Sequence, residues 1–232
     1  MRLHYCGIIY ENFEIKEGYR ILFCGDIVDR GQYSLEILSF IFQLINKNED
    51  KVYMIRGNHE TAEIYKKKTA HNLKENLIDE FETKNLTEIQ KTKVKNFINN
   101  SPVAIILVCN GKKIWCCHGS IPYHLDNQKI CNIEELIKFI KNENNEENKI
   151  FKCNKTLTTF IMWTDLYYER QRGYTIRGIT SLKDIHYEKL KEYFKELSID
   201  FMIRGHQDKD FNTTLYHGIK NCYYMSIKEY LE

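Results

Sequence analysis

The chain has 232 residues, 43% of them apolar, and a formal net charge of +2. That is enough apolar material for one sizeable core, and the charge is too near balance to argue for nucleic acid as a partner. No apolar run reaches the roughly 18 residues a membrane span needs. Met1 to Tyr5 shows no signal-peptide apolar region, and the eight cysteines include no C-x-x-C pair. Cys24, Cys109, Cys116 and Cys117 fall in strand-like runs, where a free thiol behaves as a small hydrophobe. The expected setting is reducing and intracellular, cytoplasmic or nuclear, with no membrane partner.

In chain order, Glu11 to Lys16 reads as a polar loop. Ile21-Leu22-Phe23-Cys24 reads as a short buried strand, and Gly25-Asp26-Ile27-Val28-Asp29-Arg30-Gly31 follows it directly. Glycines on either side of the carboxylates let the backbone turn sharply. Ser34 to Asn46 is dense in Leu, Ile and Phe and reads as a helix, with Ser34 as its N-cap. Lys51 to Ile55 is a second strand, followed by Arg56-Gly57-Asn58-His59-Glu60. A strand–helix–strand unit with a right-handed crossover brings both strand ends to one sheet edge. Ligand chemistry gathers at such edges, so Asp26, Asp29, Arg30, Asn58, His59 and Glu60 are expected to converge.

From Thr61 to Asn100 the chain is polar and Lys-rich, and two amphipathic helices fit its spaced apolar residues: Leu73, Leu77 and Phe81, then Ile89, Val94, Phe97 and Ile98. The run Tyr65-Lys66-Lys67-Lys68 reads as a solvated face. Val103 to Cys109, Asn110-Gly111 and Ile114 to Cys117 form a hairpin pattern with an Asn-Gly turn, and His118-Gly119-Ser120 ends it. Ile133 to Ile140 reads as a helix and Asn142 to Asn148 as a low-complexity loop. Met162-Trp163-Thr164-Asp165 comes next, with Arg170, Arg172 and Arg177 after it. Leu182 to Leu197 reads as an amphipathic helix, Phe201 to Ile203 is strand-like before Arg204-Gly205-His206-Gln207, and Tyr223 to Ile227 is a last strand.

Asp26, Asn58, His118 and His206 each follow a predicted strand, a position that scattered core histidines would not share. Their oxygen and nitrogen donors suit Mn, Fe or Zn, and arginines beside them suit a phosphate-like anion.

The stretches Gly25 to Gly31 and Arg56 to Glu60 resemble the GDxVDRG and RGNHE signatures of the phosphoprotein phosphatases, the metal-dependent Ser/Thr phosphatase family that includes calcineurin. The later segments are similar to that family's HGG, LWSDP, RAHQ and SAPNY motifs, with Ser120, Leu166, Gly205, Lys228 and Glu229 as departures. The resemblance spans residues 20 to 232 and implies an α/β metallophosphoesterase sandwich of two mixed sheets flanked by helices. It implies one catalytic domain over 1–232, with 61–100 as a helical insertion.

The activity it implies is metal-dependent hydrolysis of phosphoserine and phosphothreonine in proteins, with room for a regulatory subunit. Two divalent ions about 3.5–4 Å apart would activate a water for in-line attack. Asp26 would bridge them, and Asn58, His118 and His206 would complete the second ion's ligands. His59 would protonate the leaving oxygen, with Asp29 fixing its tautomer. Arg30, Arg172 and Tyr230 would hold the phosphate. Nothing in residues 1–20 matches the family's GDxHG motif, so the chain is expected to start inside the domain and to hold at most one ion. Two other activities compete: a pseudophosphatase that binds phosphoproteins without turnover, and a dinucleoside-tetraphosphate hydrolase of the same fold. Glu60 and the Trp163-Thr164-Asp165 segment favour the protein phosphatase.

Overall fold

The computed structural model describes residues 6–29, 31–61, 76–122, 124–125, 128–129, 132–137, 155–167, 185–206 and 222–224. The 142–148 loop, the end of the 133–140 helix and most of the 223–227 strand lie outside these residues, as do Leu73 and the lysines of 66–68.

The segment expected as a polar loop is closed by a bridge. Ile9 and Ile15 pair antiparallel across it and are both buried, because Leu44 and Val52 give them an apolar floor. Asn48 fastens the loop from below. Its Oδ1 accepts the Ile15 N–H at 2.7 Å, and its Nδ2 donates to the carbonyls of Phe13 and Leu44 at 2.7 and 2.8 Å. The Leu44 bond also satisfies one of the carbonyls left open at a helix end.

Strands β1 (Ile21–Phe23) and β2 (Val52–Met54) pair in parallel, Ile21 opposite Val52 and Phe23 opposite Met54. Helix α1 (Ser34–Lys47) connects them. Its spacing turns Leu38, Ile41 and Leu44 inward, and burying each contributes about 1.5–3 kcal/mol. Ser34 is not the N-cap. Tyr33 holds that position without a capping bond, and Ser34 is the first helical residue. A carboxylate distant in sequence does the capping instead: Glu80 accepts the N–H groups of Ser34 and Leu35 at 2.7 and 3.0 Å.

Glu80 belongs to α2 (Leu77–Thr83), which precedes α3 (Glu88–Asn100). Both helices carry local caps. The Asn76 side chain accepts the Asp79 N–H, and Thr87 and Gln90 form a capping box. Leu77, Phe81 and Ile98 pack with Leu38 and Ile41. Ile89, expected on this apolar face, is 71% exposed. It lies nine residues before Ile98, which at 3.6 residues per turn puts it about half a turn away.

Strands β3 (Ala104–Cys109) and β4 (Lys112–Cys117) form the expected hairpin. Asn110 and Gly111 both have positive φ, 49° and 74°, as the primed two-residue turns require. Two short pairs follow: β5 (His124–Leu125) with β6 (Gln128–Lys129), and β7 (Leu166–Tyr167) with β8 (Ile185–His186). Helix α4 (Lys155–Trp163) precedes β7, and α5 (Tyr187–Glu196) follows β8; the helix expected over 182–197 thus starts later, because Ile185 and His186 pair with β7 as a strand. Strand β9 (Phe201–Arg204) pairs in parallel with β4 and with β10 (Cys222–Tyr224). The result is a mixed four-stranded sheet of order β10-β9-β4-β3. Its core joins Trp115, Cys117 and Met202 to Phe160 and Ile161 of α4 and to Leu190, Tyr193 and Phe194 of α5.

The two sheets meet at their strand ends. Gly205, after β9, donates its N–H to the His118 carbonyl after β4. His118 Nδ1 in turn lies 2.6 Å from the Cys24 carbonyl after β1. Four strand ends thereby face one place.

Candidate active site

Gly25 and Gly57 cross where the first two strand ends meet. A β-carbon on Gly25, at φ 83°, would run into the Gly57 backbone, and one on Gly57 would run into Asp26. Only glycine lets the two loops approach this closely. Glu60 then joins them. It is fully buried, and its Oε1 accepts the N–H groups of Ile27 and Val28 at 2.6 and 3.1 Å while Oε2 accepts those of Asp26 and Gly57 at 2.8 and 2.6 Å. Burial pushes its carboxyl above the ordinary 4.5 and the Asp26 charge adds to this, while His118 and the amide donors pull it back. With two amides on each oxygen, Glu60 acts as a carboxylate.

Four side-chain atoms converge beside this clamp. Asn58 Oδ1 lies 3.0 Å from His118 Nε2 and 3.0 Å from His206 Nδ1. His118 Nε2 is 3.2 Å from His206 Nδ1 and 3.2 Å from Asp26 Oδ1. The ligand atoms of Asp26, His118 and His206 all fall within 4.8 Å of one another. When His118 Nδ1–H donates to the Cys24 carbonyl, the Nε2 lone pair points at two oxygen acceptors. Such facing lone pairs call for a cation between them, and the imidazole, amide and carboxylate donors suit a divalent ion. Burial alone would raise the Asp26 carboxyl; with no metal ion bound, a proton on His118 takes the cation's place, and that charge and then His59 outweigh burial and hold the carboxyl well below its ordinary 3.8. Asp26 therefore presents a charged oxygen to the cluster.

His59 stands next to the cluster and points elsewhere. Its Nδ1 is 2.9 Å from Asp29 Oδ2, and its Nε2 is 3.9 Å from Asp26 Oδ2. Both side chains of the His59–Asp29 pair are buried. The Asp29 contact fixes which ring nitrogen faces the site. Asp26, Asp29 and His206 have φ of 52°, 67° and 79°, left-handed values uncommon outside glycine that concentrate at functional sites.

The calcineurin-like phosphoesterase family model matches residues 8–210. The chain belongs to this family. Among its relatives, the serine/threonine-protein phosphatase C23G10.1 of Caenorhabditis elegans is 25% identical over 211 residues, which are 91% of this chain and 42% of that protein. Serine/threonine-protein phosphatase 5 of Solanum lycopersicum is 25% identical over 214 residues, 91% of this chain and 34% of that protein. The chain thus spans less than half the length of either relative. A solved Saccharomyces cerevisiae protein serine/threonine phosphatase, described as similar to human phosphatase PP5, superposes with a TM-score of 0.59 at 17% identity. The overlap covers 84% of this chain and 54% of that one, and it shows the expected metallophosphoesterase α/β fold.

For a calcineurin-like phosphoesterase, divalent metal ions are implied, and the donors of Asp26, Asn58, His118 and His206 fit one. The structure brings those residues together with Asp29 and His59; Arg30, Arg172 and Tyr230 lie outside the described residues. Two residues without an assigned role gain contacts at the site. Glu60 is the clamp just described, and its signal was a carboxylate directly after Gly57-Asn58-His59, at the end of a strand. Asp165 Oδ1 lies 3.4 Å from His206 Nε2, and its signal was the Trp163-Thr164-Asp165 segment. Arg204 is fully buried and donates to the Gly119 and Thr164 carbonyls, which ties β9 to the loop after α4.

Proposed function

We propose that this chain hydrolyses phosphoserine and phosphothreonine in proteins, with divalent metal ions of the Mn, Fe or Zn type as cofactors. The observation that supports it most is the buried Asp29–His59 pair set beside the Asp26, Asn58, His118 and His206 cluster. A divalent ion bound there would supply Lewis acidity toward a phosphoryl oxygen and a lowered pKa for water. The chain's own side chains do the rest. Asp29 holds His59 so that Nε2 faces the substrate, and His59 delivers a proton to the departing serine or threonine oxygen. Arg30 and Arg172 grip phosphate oxygens as bidentate donors, with Tyr230 alongside. Asp26 stays ionised as a ligand.

In this reading residues 1–232 form one catalytic domain with 61–100 as an insertion. The partners are phosphoproteins in the cytoplasm or nucleus, with a regulatory subunit as a further one. Among the described residues, no helix is long and apolar enough to cross a membrane.

The test is release of phosphate from phosphoserine and phosphothreonine peptides, with and without Mn²⁺, against a dinucleoside tetraphosphate. Metal-dependent release from the peptides is expected. Cleavage of the dinucleotide alone would overturn the substrate class, and tight peptide binding with metal bound but no release would indicate a pseudophosphatase.

A further inference from the structure

Asp29 is held from three directions. Its Oδ2 meets His59 Nδ1 at 2.9 Å, its Oδ1 accepts the Leu77 N–H at 2.9 Å, and its own N–H donates to Ser34 Oγ at 3.2 Å. Leu77 opens α2 and Ser34 opens α1. One residue fixes those two openings against each other. Glu80, one turn into α2, accepts the Ser34 and Leu35 N–H groups. The exchange is reciprocal: Asp29 gives its carboxylate to the start of α2, and Glu80 gives its carboxylate to the start of α1. Each carboxylate meets unsatisfied amides at the positive end of a helix dipole. Lys84 braces the joint from outside, 2.6 Å from Glu36 and 3.3 Å from Glu80.

Asp29 also needs holding. At φ 67° it sits in a conformation disfavoured for a residue with a β-carbon, and such strain persists only where the surroundings over-determine it. Without the Glu80 carboxylate, the Ser34 and Leu35 amides lose their acceptors, and the first turn of α1 is held against α2 by the packing of Leu38 and Ile41 with Leu77 and Phe81. The Ser34 hydroxyl and the Leu77 amide, which bracket Asp29, are then less firmly placed.

We infer that Glu80 is a positioning residue for the acid step, acting through Ser34, Leu77 and Asp29 on His59, so that helix α2 is mechanically coupled to leaving-group protonation. The inference rests on the proposed phosphatase reading.

The test uses leaving-group dependence. A serine alkoxide needs a proton as it leaves; a dinitrophenolate does not. Wild type, Glu80→Gln, Ser34→Ala and the control Asn48→Ala are assayed with Mn²⁺ on a phosphoserine peptide and on 2,4-dinitrophenyl phosphate. Glu80→Gln is expected to lose roughly 10- to 100-fold in kcat on the peptide, the range for a slightly displaced catalytic group. On the aryl ester its kcat should stay within about 3-fold of wild type, since no acid is required there. Asn48→Ala loosens the fold far from His59, so both substrates should change together. Equal losses on both substrates, or no loss, in Glu80→Gln would overturn the inference. If Glu80→Gln does not fold, Ser34→Ala carries the same ratio, and its failure to show the selective loss is equally decisive. A wild type inert on both substrates with metal bound would instead remove the phosphatase reading, and this inference with it.

Discussion

Replacing Glu60 by Gln keeps the shape of the clamp and removes its charge. The carboxylate accepts four backbone N–H groups, two on each oxygen. A Gln amide offers one oxygen, so two acceptor bonds survive and the NH₂ group confronts the other two amides. Hydrogen bonds to a charged group contribute about 1.5–3 kcal/mol each, so losing two removes about 3–6 kcal/mol. Against this, the neutral side chain escapes the desolvation that raises the Glu60 carboxyl, which offsets part of the loss; a net loss of about 2–4 kcal/mol is expected. At about 2–4 °C per kcal/mol for a chain of this size, the melting temperature should fall by about 4–16 °C. Metal affinity should fall too, because Asp26 N–H is one of the four donors and Asp26 is a proposed ligand. The assay is thermal unfolding by circular dichroism beside metal stoichiometry by elemental analysis. A melting temperature within a degree of wild type, with metal retained, would refute the ionised clamp.

His59→Asn should lower turnover on phosphopeptides by about 10²–10⁴ with metal content nearly unchanged, since general-acid catalysis is worth that much; loss of metal together with activity would mean that His59 is a ligand. Arg30→Ala and Arg172→Ala should each weaken phosphopeptide binding by about 1.5–3 kcal/mol in titration calorimetry, while Arg170→Ala and Arg177→Ala do little. Iodoacetamide should label the exposed Cys6 and Cys109 in the native protein and spare Cys24, Cys116 and Cys117, because burial pushes Cys24 up to about 11, Cys116 up to about 12 and Cys117 higher still; peptide mapping by mass spectrometry reads the sites. Burial alone would raise Glu80, but the Ser34 and Leu35 donors and Lys84 hold it below its ordinary 4.5. A carboxyl lowered by folding stabilises above its unfolded pKa and stops doing so as pH falls through its folded one. The melting-temperature gap between wild type and Glu80→Gln should therefore hold at neutral pH and close as pH drops below about 4.5.

Much of the site was legible because its chemistry sits in short stretches, each beginning where an apolar run ends. Asp26, Asn58, His118 and His206 each needed only a strand before them, and β1, β2, β4 and β9 supply those strands. The Asn-Gly turn was equally local, its two positive φ values being written in the residue types. What escaped the sequence was non-local. Ser34 looks like an N-cap, yet Glu80 takes its N–H from 46 positions away, and no window around Ser34 contains that partner. The closure of Glu11 to Lys16 depends on Asn48 and on the floor of Leu44 and Val52, which is a tertiary contact overriding a polar composition. Ile89 carries the opposite lesson: an apolar residue in a helix counts toward a face only if its angular phase agrees with the rest.

At the Asp26–Asp29 loop, rigidity needs more than β1 and β2, which are three residues each. It comes from carboxylates turned onto backbone amides. Glu60 holds the segment Asp26 to Val28 against Gly57, and Glu80 holds α1 against α2 on either side of Asp29. The two clamps act on different halves of one loop, the first on the residue assigned to metal and the second on the residue that orients His59. Their effects should therefore separate. Disabling Glu60 strikes metal affinity and stability first, whereas disabling Glu80 strikes turnover on substrates with poor leaving groups while metal stays bound. The loop that carries the proposed ligand Asp26 and the carboxylate proposed to orient the acid, Asp29, both at positive φ, thus has a separate anchor for each, Glu60 for the first and the Ser34–Leu77 joint held by Glu80 for the second.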